Sequence, residues 1–373
     1  MQKFGGVSNC FVKLIEKLPV GVKYEIAIKE TDNVHLRGSG LVDVGKMKCS
    51  PTNFISPAHF KGQGRLYNLY TRLCPEHTSF GRNKFYAIET LKKGDFDIFH
   101  PTFFDDYFLP YLNDKPYVLT VHDMIPELFF SKRDGQVRKK PWLCEKAAHI
   151  VAVSQKTKDD LIDILKIPED KISVVYHGAP DYSCQIKSSP LIEGRYILYV
   201  GNRLGYKNFI PMIESLVPVL HNHEDIRVVC TGEEFSKKEK KIFRDVDLEK
   251  RIIHYRASDS DLQNLYAHAL CFIYPSLYEG FGIPILEAYN AHCPVLLNNR
   301  SCFPEIAQNA AIYFNLDNSS SDLEDVMEQF LSMSSKDVEI LKKKQLDRLQ
   351  MFSWKKSAQK LSEIYMNAIE ANK

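Results

Sequence analysis

No stretch of this 373-residue chain approaches the ~18 uninterrupted apolar residues of a membrane-spanning helix, and the opening MQKFGGVSNC carries no apolar signal core. A spanning anchor and a secretory leader are therefore not expected. Any membrane contact would be a peripheral one. The nine cysteines are scattered, with no C-x-x-C pair and no Cys/His spacing typical of a metal motif. An odd number of isolated thiols fits a reducing, cytoplasmic setting better than a disulfide framework. One-sided charge is also lacking: the net charge is +2, which offers no electrostatic footprint for nucleic acid. Neither repeats nor low-complexity tracts appear.

What remains is an ordinary globular composition, 44% hydrophobic and 26% charged, long enough to exceed a single core. Two domains are the expectation. Basic clusters occur at Lys132-Arg133 with Arg138-Lys139-Lys140, at Lys237-Lys238 with Lys240-Lys241, and at Lys342-Lys343-Lys344. Acids flank or interrupt each, as on solvated helix faces. The first, followed by Trp142, also suits an anionic membrane surface, which would place the protein at the inner membrane face.

The second half alternates short β-branched or aromatic runs with helical patterns. YILYVG (196–201), IRVVCTG (226–232), RIIHYR (251–256), CFIYPS (271–276) and PVLLNN (294–299) read as strands. Helices are expected through 208–222, near 236–247, at 259–269 and near 284–292. This is the signature of βαβ units and a parallel sheet covered on both faces. The first half repeats the pattern, with strands expected at KYEIAIKE, DIFHPT, YVLTVHD, HIVAVS and ISVVYHG, and helices after Gly6, around 138–148 and at 156–166. The polar stretch 181–194 reads as a linker. The predicted architecture is α/β, with two doubly wound Rossmann-like domains facing across a cleft: 1–190, and 191–351, with a closing helix at 352–373 returning to the first. Ligands in such sheets bind beyond the carboxyl ends of the strands.

The densest chemical signal is SLYEGFGIPILEAYNAHCPVLLNN (276–299). A strand ends, a glycine-bearing loop follows, and Pro284 sits in the first turn of a helix, where its missing N–H costs nothing. Gly280 and Gly282 let backbone approach a ligand, with helix-start amides nearby to hold an anion. Glu279 precedes the loop and Glu287 lies further along the helix, in different parts of one pocket. A plain strand–turn–helix would account for the same letters.

Residues 275–305 closely resemble the signature of family-4 glycosyltransferases, including the E-x7-E spacing from Glu279 to Glu287. YVGNRLGYKNF (199–209) resembles that family's phosphate loop, TVHDMIPELF (120–129) its first-domain His-Asp segment, and VAVSQKTKDDL and VVYHGA its next elements. The resemblance implies a retaining, metal-independent enzyme of GT-B fold that needs no cofactor and binds a nucleotide-sugar donor. The acceptor would be a glycan or lipid-linked glycan of surface polysaccharide. Glu279 would contact the donor sugar's hydroxyls, the amides of Gly280, Phe281 and Gly282 its distal phosphate, and Glu287 the ribose. Arg203 and Lys207 would neutralise the leaving diphosphate, although this chain has Asn202 where the family often has arginine. His122 would lie on the opposite wall near the transferred sugar, and Gly5-Gly6 would turn amides toward the phosphates. His100 reads as structural. The family opens with a strand before its Gly-Gly loop, so that strand is either absent here or encoded upstream of this start.

Other enzyme classes fit less well. No G-x-G-x-x-G follows a strand, GNRLGYKN lacks the G-K-[ST] ending of a P-loop, and Asp95-Phe96-Asp97 precedes its strand instead of following one. A sugar-nucleotide epimerase of the same architecture and a catalytically silent partner of another transferase are the remaining alternatives.

Overall fold

The computed structural model describes residues 5–47, 55, 60–131, 134–180, 189–317 and 321–373. Residues 181–188 of the expected linker, and Lys132-Arg133 of the first basic cluster, lie outside the described residues. In the N-terminal half, helices α1 (Gly6–Glu16), α2 (Val34–Ser39), α3 (Gln63–Leu73) and α4 (Ser79–Lys93) precede strand β1 (Val118–Val121). There follow α5 (Ile125–Phe129), α6 (Gly135–Lys146), β2 (His149–Ala152), α7 (Gln155–Leu165) and β3 (Ile172–Val174). The C-terminal half opens with β4 (Arg195–Tyr199), α8 (Phe209–Asn222), β5 (Ile226–Cys230), α9 (Lys237–Asp245), β6 (Ile252–His254), α10 (Asp259–His268) and β7 (Cys271–Tyr274). It continues through α11 (Ile283–Asn290), β8 (Val295–Asn298), α12 (Phe303–Ala307), β9 (Ile312–Phe314), α13 (Leu323–Leu331) and α14 (Ser335–Leu349) to α15 (Trp354–Glu370).

The C-terminal sheet is wholly parallel, in the order β6-β5-β4-β7-β8-β9. Alternate residues of one strand serve two cores: Tyr196 and Leu198 of β4 enter the layer with Leu286 and Phe303, while Ile197 and Tyr199 enter the layer with Met212 and Phe243. That explains the unbroken apolar runs, since both faces exclude water. The order reverses between β4 and β7. Loops leaving the carboxyl ends of these two strands therefore diverge and leave a crevice, the place where open α/β sheets bind ligands.

The N-terminal sheet is smaller than the sequence pattern predicts. Three parallel strands, β1-β2-β3, form it. KYEIAIKE is not a strand: the Asn83 side chain takes the N–H groups of Lys29 and Glu30 and donates to the Glu30 carbonyl. With those groups occupied, only a single bridge from Glu30 to Gly45 survives. DIFHPT likewise supplies one bridge, Phe99 to Tyr117, bounded by Pro101 and Pro116, which have no N–H to extend a ladder.

Helix α15 turns an apolar face onto the N-terminal sheet. Trp354, Ala358, Leu361 and Ile364 pack with Cys10 and Leu14 of α1 and with Val118 and Val151 of the strands. Gly178 is obligatory here, because a Cβ on it would collide with the Trp354 backbone. Ser357 fixes the register by donating to the Tyr176 carbonyl at 2.6 Å.

Three histidines sit in or beside this core. His100 contacts the Tyr365 hydroxyl at 2.6 Å and the Thr120 hydroxyl at 2.9 Å, a structural role. His177 lies 3.2 Å from the Cys10 thiol, and the His122 ring stacks on that of His177 at 5.9 Å. Burial depresses all three, His100 and His177 to about 3 and His122 to about 4, so each is neutral in the folded protein. The unfolded chain binds more protons below the ordinary value of 6.5, so the stability these histidines contribute is complete above about that pH. It is lost as the pH falls toward the folded values, at roughly 1 kcal/mol per pH unit per histidine. Urea unfolding should therefore give a steep fall in stability from pH 6.5 to 4.5, and His100→Gln should flatten it. A pH-independent midpoint across that range would contradict the buried neutral cluster.

Candidate active site

The loop leaving β4 carries the first part of the site. Gly201 has φ +121°, and the chain then forms one 3-10 turn, Gly205–Lys207. Asn208 enters α8 with φ +56°, held by its side-chain bond to the Leu316 carbonyl at 3.1 Å. The Leu277 N–H donates to the Tyr206 carbonyl at 2.8 Å, which ties this loop to the one leaving β7. The tie sets Lys207 Nζ 2.6 Å from Glu279 Oε1, an ion pair that is largely buried. Ser301 pins the Glu279 backbone from both sides, accepting from its N–H at 3.0 Å and donating to its carbonyl at 2.8 Å. Beneath lies Tyr274, whose hydroxyl stays protonated because burial, then the Glu279 charge, push it well up.

The loop 279–282 is gripped from the N-terminal half. A Cβ on residue 280 would run into the His122 carbonyl oxygen, so only glycine allows this approach. Thr157 Oγ1 donates to the Gly280 carbonyl at 3.4 Å, and the Tyr278 hydroxyl donates to Asp160 at 2.7 Å. From the other side, the Glu305 carboxylate accepts from the N–H groups of Gln155 and Lys156 at 2.6 and 3.1 Å, on the first turn of α7. The Phe281 ring packs edge-on against His177 at 4.7 Å. Gly282, at φ +88°, begins α11, and Pro284 sits in its first turn.

Gly5 and Gly6 begin α1, and Gly6 faces Ile283, the first residue of α11: a Cβ on Gly6 would lie 3.9 Å from it. The start of α1 thus lies beside the start of α11, which follows the loop carrying Glu279. Among the described residues their positive ends carry no acidic first turn and no side-chain cap, an arrangement that favours a bound anion such as a diphosphate. Glu287 lies further along α11, half-buried, and accepts from the Tyr266 hydroxyl at 3.3 Å.

The structure does not bring Arg203 to this pair. Its guanidinium binds Glu239 at 2.6 Å and the carbonyls of Thr231, Glu233 and Glu234, and it stacks on Phe235. The geometry also shows groups that the motifs pass over. Asp123 lies against the loop, its Cβ 3.0 Å from where a Cβ on residue 280 would stand, and burial raises its carboxyl while the neighbouring Lys140 charge and the Ile125 N–H oppose that rise. Lys140 is no solvated surface residue, being buried and paired with Glu127 at 2.7 Å. His122 Nε2 is buried with no hydrogen-bond partner among the described residues. Asp160 and His177 could not be found from spacing, because their partners are distant in the chain.

Comparison with known proteins agrees with this geometry. Residues 185–347 match the family described as Glycosyl transferases group 1, and residues 55–181 match Glycosyltransferase Family 4. The chain is 27% identical over 222 residues to the O-antigen chain mannosyltransferase RfbU of Salmonella typhimurium, covering 57% of this chain and 60% of that protein. It is 24% identical to the GDP-mannose:cellobiosyl-diphosphopolyprenol alpha-mannosyltransferase of Xanthomonas oryzae, over 54% of this chain and 56% of that protein. The chain thus spans less than two thirds of the length of these relatives. Among solved structures, Anabaena Alr3699/HepE in complex with UDP and glucose superposes with a TM-score of 0.70 at 16% identity, over 97% of this chain and 96% of that one. The β4/β7 crevice, the E-x7-E loop and both family matches lead to one assignment: the chain belongs to the group 1, family 4 glycosyltransferases and has their GT-B fold.

Proposed function

We propose that this chain transfers a hexose, with retention, from a nucleotide sugar to a glycan or lipid-linked glycan acceptor in surface polysaccharide synthesis. The carrying observation is Lys207 paired at the β4/β7 crevice with Glu279, whose loop leads into α11, one of two adjacent acid-free helix starts. On this reading residues 1–190 form the acceptor side, 191–351 bind the donor, and 352–373 return to the first domain. GDP-mannose is the first donor to test, because the Xanthomonas relative's name specifies it and RfbU is named a mannosyltransferase.

The chemistry asked of the site is to stabilise a diphosphate whose charge grows as the glycosidic bond breaks. Preorganised donors aimed at developing charge are the strongest general device for this. Lys207, the amides of Gly280, Phe281 and Gly282, and those at Gly5-Gly6 provide them, which is why no divalent ion is needed on this reading. Lys207 exchanges its carboxylate partner for phosphate oxygens, and Glu279 is then free to accept from sugar hydroxyls. Arg203 serves the diphosphate only after leaving Glu239. His122, held neutral, offers the sugar a hydrogen-bonding ring and not a proton-accepting base. No carboxylate is assigned as a nucleophile, so the departing phosphate takes the acceptor's proton on the same face. With GDP-mannose and a lipid-linked acceptor, transfer should persist in EDTA and give an α-linked product. A β-linked product, or activity lost in EDTA and restored by manganese, would refute this mechanism. A sugar-nucleotide thermal-shift panel locates the donor, since a ligand at ~100 times its Kd stabilises by ~2.7 kcal/mol.

The two glutamates separate by kinetics. Glu287→Ala removes ribose contacts present in ground and transition states alike, so KM should rise about tenfold with kcat nearly unchanged. Glu279→Ala also strips Lys207 of its partner and should lower kcat about a hundredfold. Equal losses of free-nucleotide affinity in both variants would sink the assignment.

A peripheral membrane contact falls to α3, alongside the cluster Arg138–Lys140 with its exposed Trp142. Leu66, Leu69 and Leu73 form an exposed stripe flanked by exposed Arg65 and Arg72, the composition of an interfacial helix. Co-sedimentation with anionic vesicles should exceed that with zwitterionic ones, and Leu69→Glu with Leu73→Glu should abolish it. Undiminished binding by that double variant would remove α3 as the contact.

A further inference from the structure

The transfer reaction as proposed uses His122 but leaves its two buried neighbours, Cys10 and His177, without a task. Cys10 projects from α1, and His177 follows β3. Cys10 Sγ and His177 Nδ1 are 3.2 Å apart, and one ligand atom from each of Cys10, His122 and His177 lies within 4.8 Å of the others. His122 Nε2 has no partner among the described residues. The rings are walled by Phe11 at 5.8 Å from His122, and by Phe281 at 4.7 Å and Trp354 at 5.6 Å from His177. A thiol and two imidazoles, enclosed by aromatic rings and with one buried ring nitrogen unpartnered among the described residues, make a set of soft and borderline donors. The sequence hides it: Cys10 and His177 are 167 residues apart.

We propose that Cys10, His122 and His177 form a binding site for a thiophilic divalent cation such as zinc, and that its occupation blocks transfer. Zn–S and Zn–N bonds of about 2.3 and 2.0 Å place neighbouring ligand atoms about 3.5 Å apart. Closing the present arrangement to that spacing takes side-chain shifts on the order of 1 Å. Binding converts the Cys10 thiol to thiolate and releases one proton to solvent, with both imidazoles binding in their neutral form. Burial already holds both imidazoles neutral, so no further proton is lost. The fourth tetrahedral position stays open to water. The cation takes the ring that the proposed reaction reserves for the donor sugar, so metal and donor are mutually exclusive. The site is inhibitory and reversible, distinct from a catalytic metal.

The test uses the full chain, stripped with chelator and kept reduced, titrated with cobalt(II) in place of zinc. One equivalent should give a thiolate-to-cobalt charge-transfer band, which excess zinc abolishes. Cys10→Ser should remove the band, and His177→Gln should weaken cobalt binding at least tenfold, with melting curves confirming that both variants fold. Should Cys10→Ser not fold, Cys10→Ala serves, with the same loss expected. Absence of a band in the unaltered protein, or a band that survives Cys10 substitution, overturns the site. This arm needs no donor or acceptor, so its outcome stands apart from that of the transferase reading. In the transfer assay, zinc should inhibit competitively with the nucleotide sugar and EDTA should restore the rate. Cys10→Ser should keep the basal rate within about twofold while losing most of the zinc sensitivity. Equal inhibition of Cys10→Ser places the inhibitory ion elsewhere and refutes the proposal.

Discussion

Everything at the site depends on one close approach, the carbonyl of His122 lying over the backbone of Gly280. Any side chain at 280 would push the two halves apart. Because glycine stands there, β1's end and the E-x7-E loop meet backbone to backbone, and every neighbouring contact is set by that distance. Tyr278 reaches Asp160, Phe281 reaches His177, and Glu305 caps α7 from across the junction. Charge-assisted bonds such as the Glu305 cap are worth roughly 1.5–3 kcal/mol each. Several of them, in a setting that also buries Phe281, hold the loop as firmly as a core turn. The loop is therefore shaped before any ligand arrives, which is what electrostatic preorganisation requires.

The sequence displays the C-terminal half more openly than the N-terminal half, for a physical reason. Buried parallel strands such as YILYVG and CFIYPS are apolar on both faces, and helices of ten or more residues separate them, so the pattern leaves little ambiguity. The short β9 and helices α13 and α14 are less legible, being brief or highly charged. In the N-terminal half, KYEIAIKE alternates like a strand, yet at its end the side chain of Asn83, more than fifty residues away in the chain, takes the Lys29 and Glu30 backbone groups instead. No local rule anticipates such a tertiary override. The site divides the same way. Glu279, Lys207, Gly280 and Gly282 are legible because loop chemistry demands those residue types at those positions. The turning of Arg203 onto Glu239 is not, because the competing acceptors come from the β5–α9 loop and from α9 itself. The thiol–imidazole cluster escapes for a related cause: its members join only through the packing of α1, β1 and the end of β3.

The pairing of Lys207 with Glu279 also explains how a lysine is held in a largely buried crevice. Removing an ammonium from water costs several kcal/mol, and an unpaired buried charge is among the most destabilising features a fold can hold. Glu279 accepts the lysine at 2.6 Å and keeps the local charge near zero. It stands in for a phosphate oxygen. Arg203 is neutralised in the same manner by Glu239, whose carboxyl is held below its ordinary range by bonds from Ser236 and Arg203 despite burial. Both cations are thus parked on carboxylates that lie within the fold. On the proposed reading, a diphosphate displaces the nearer pair because it brings more charge and would also meet the starts of α1 and α11. On that reading the exchange leaves Glu279 with free acceptor positions for the hydroxyls of the sugar already linked to the captured diphosphate. One ion pair therefore links the stability of the empty cleft to the order of events on the proposed reaction path: phosphate capture first, recognition of the sugar hydroxyls second.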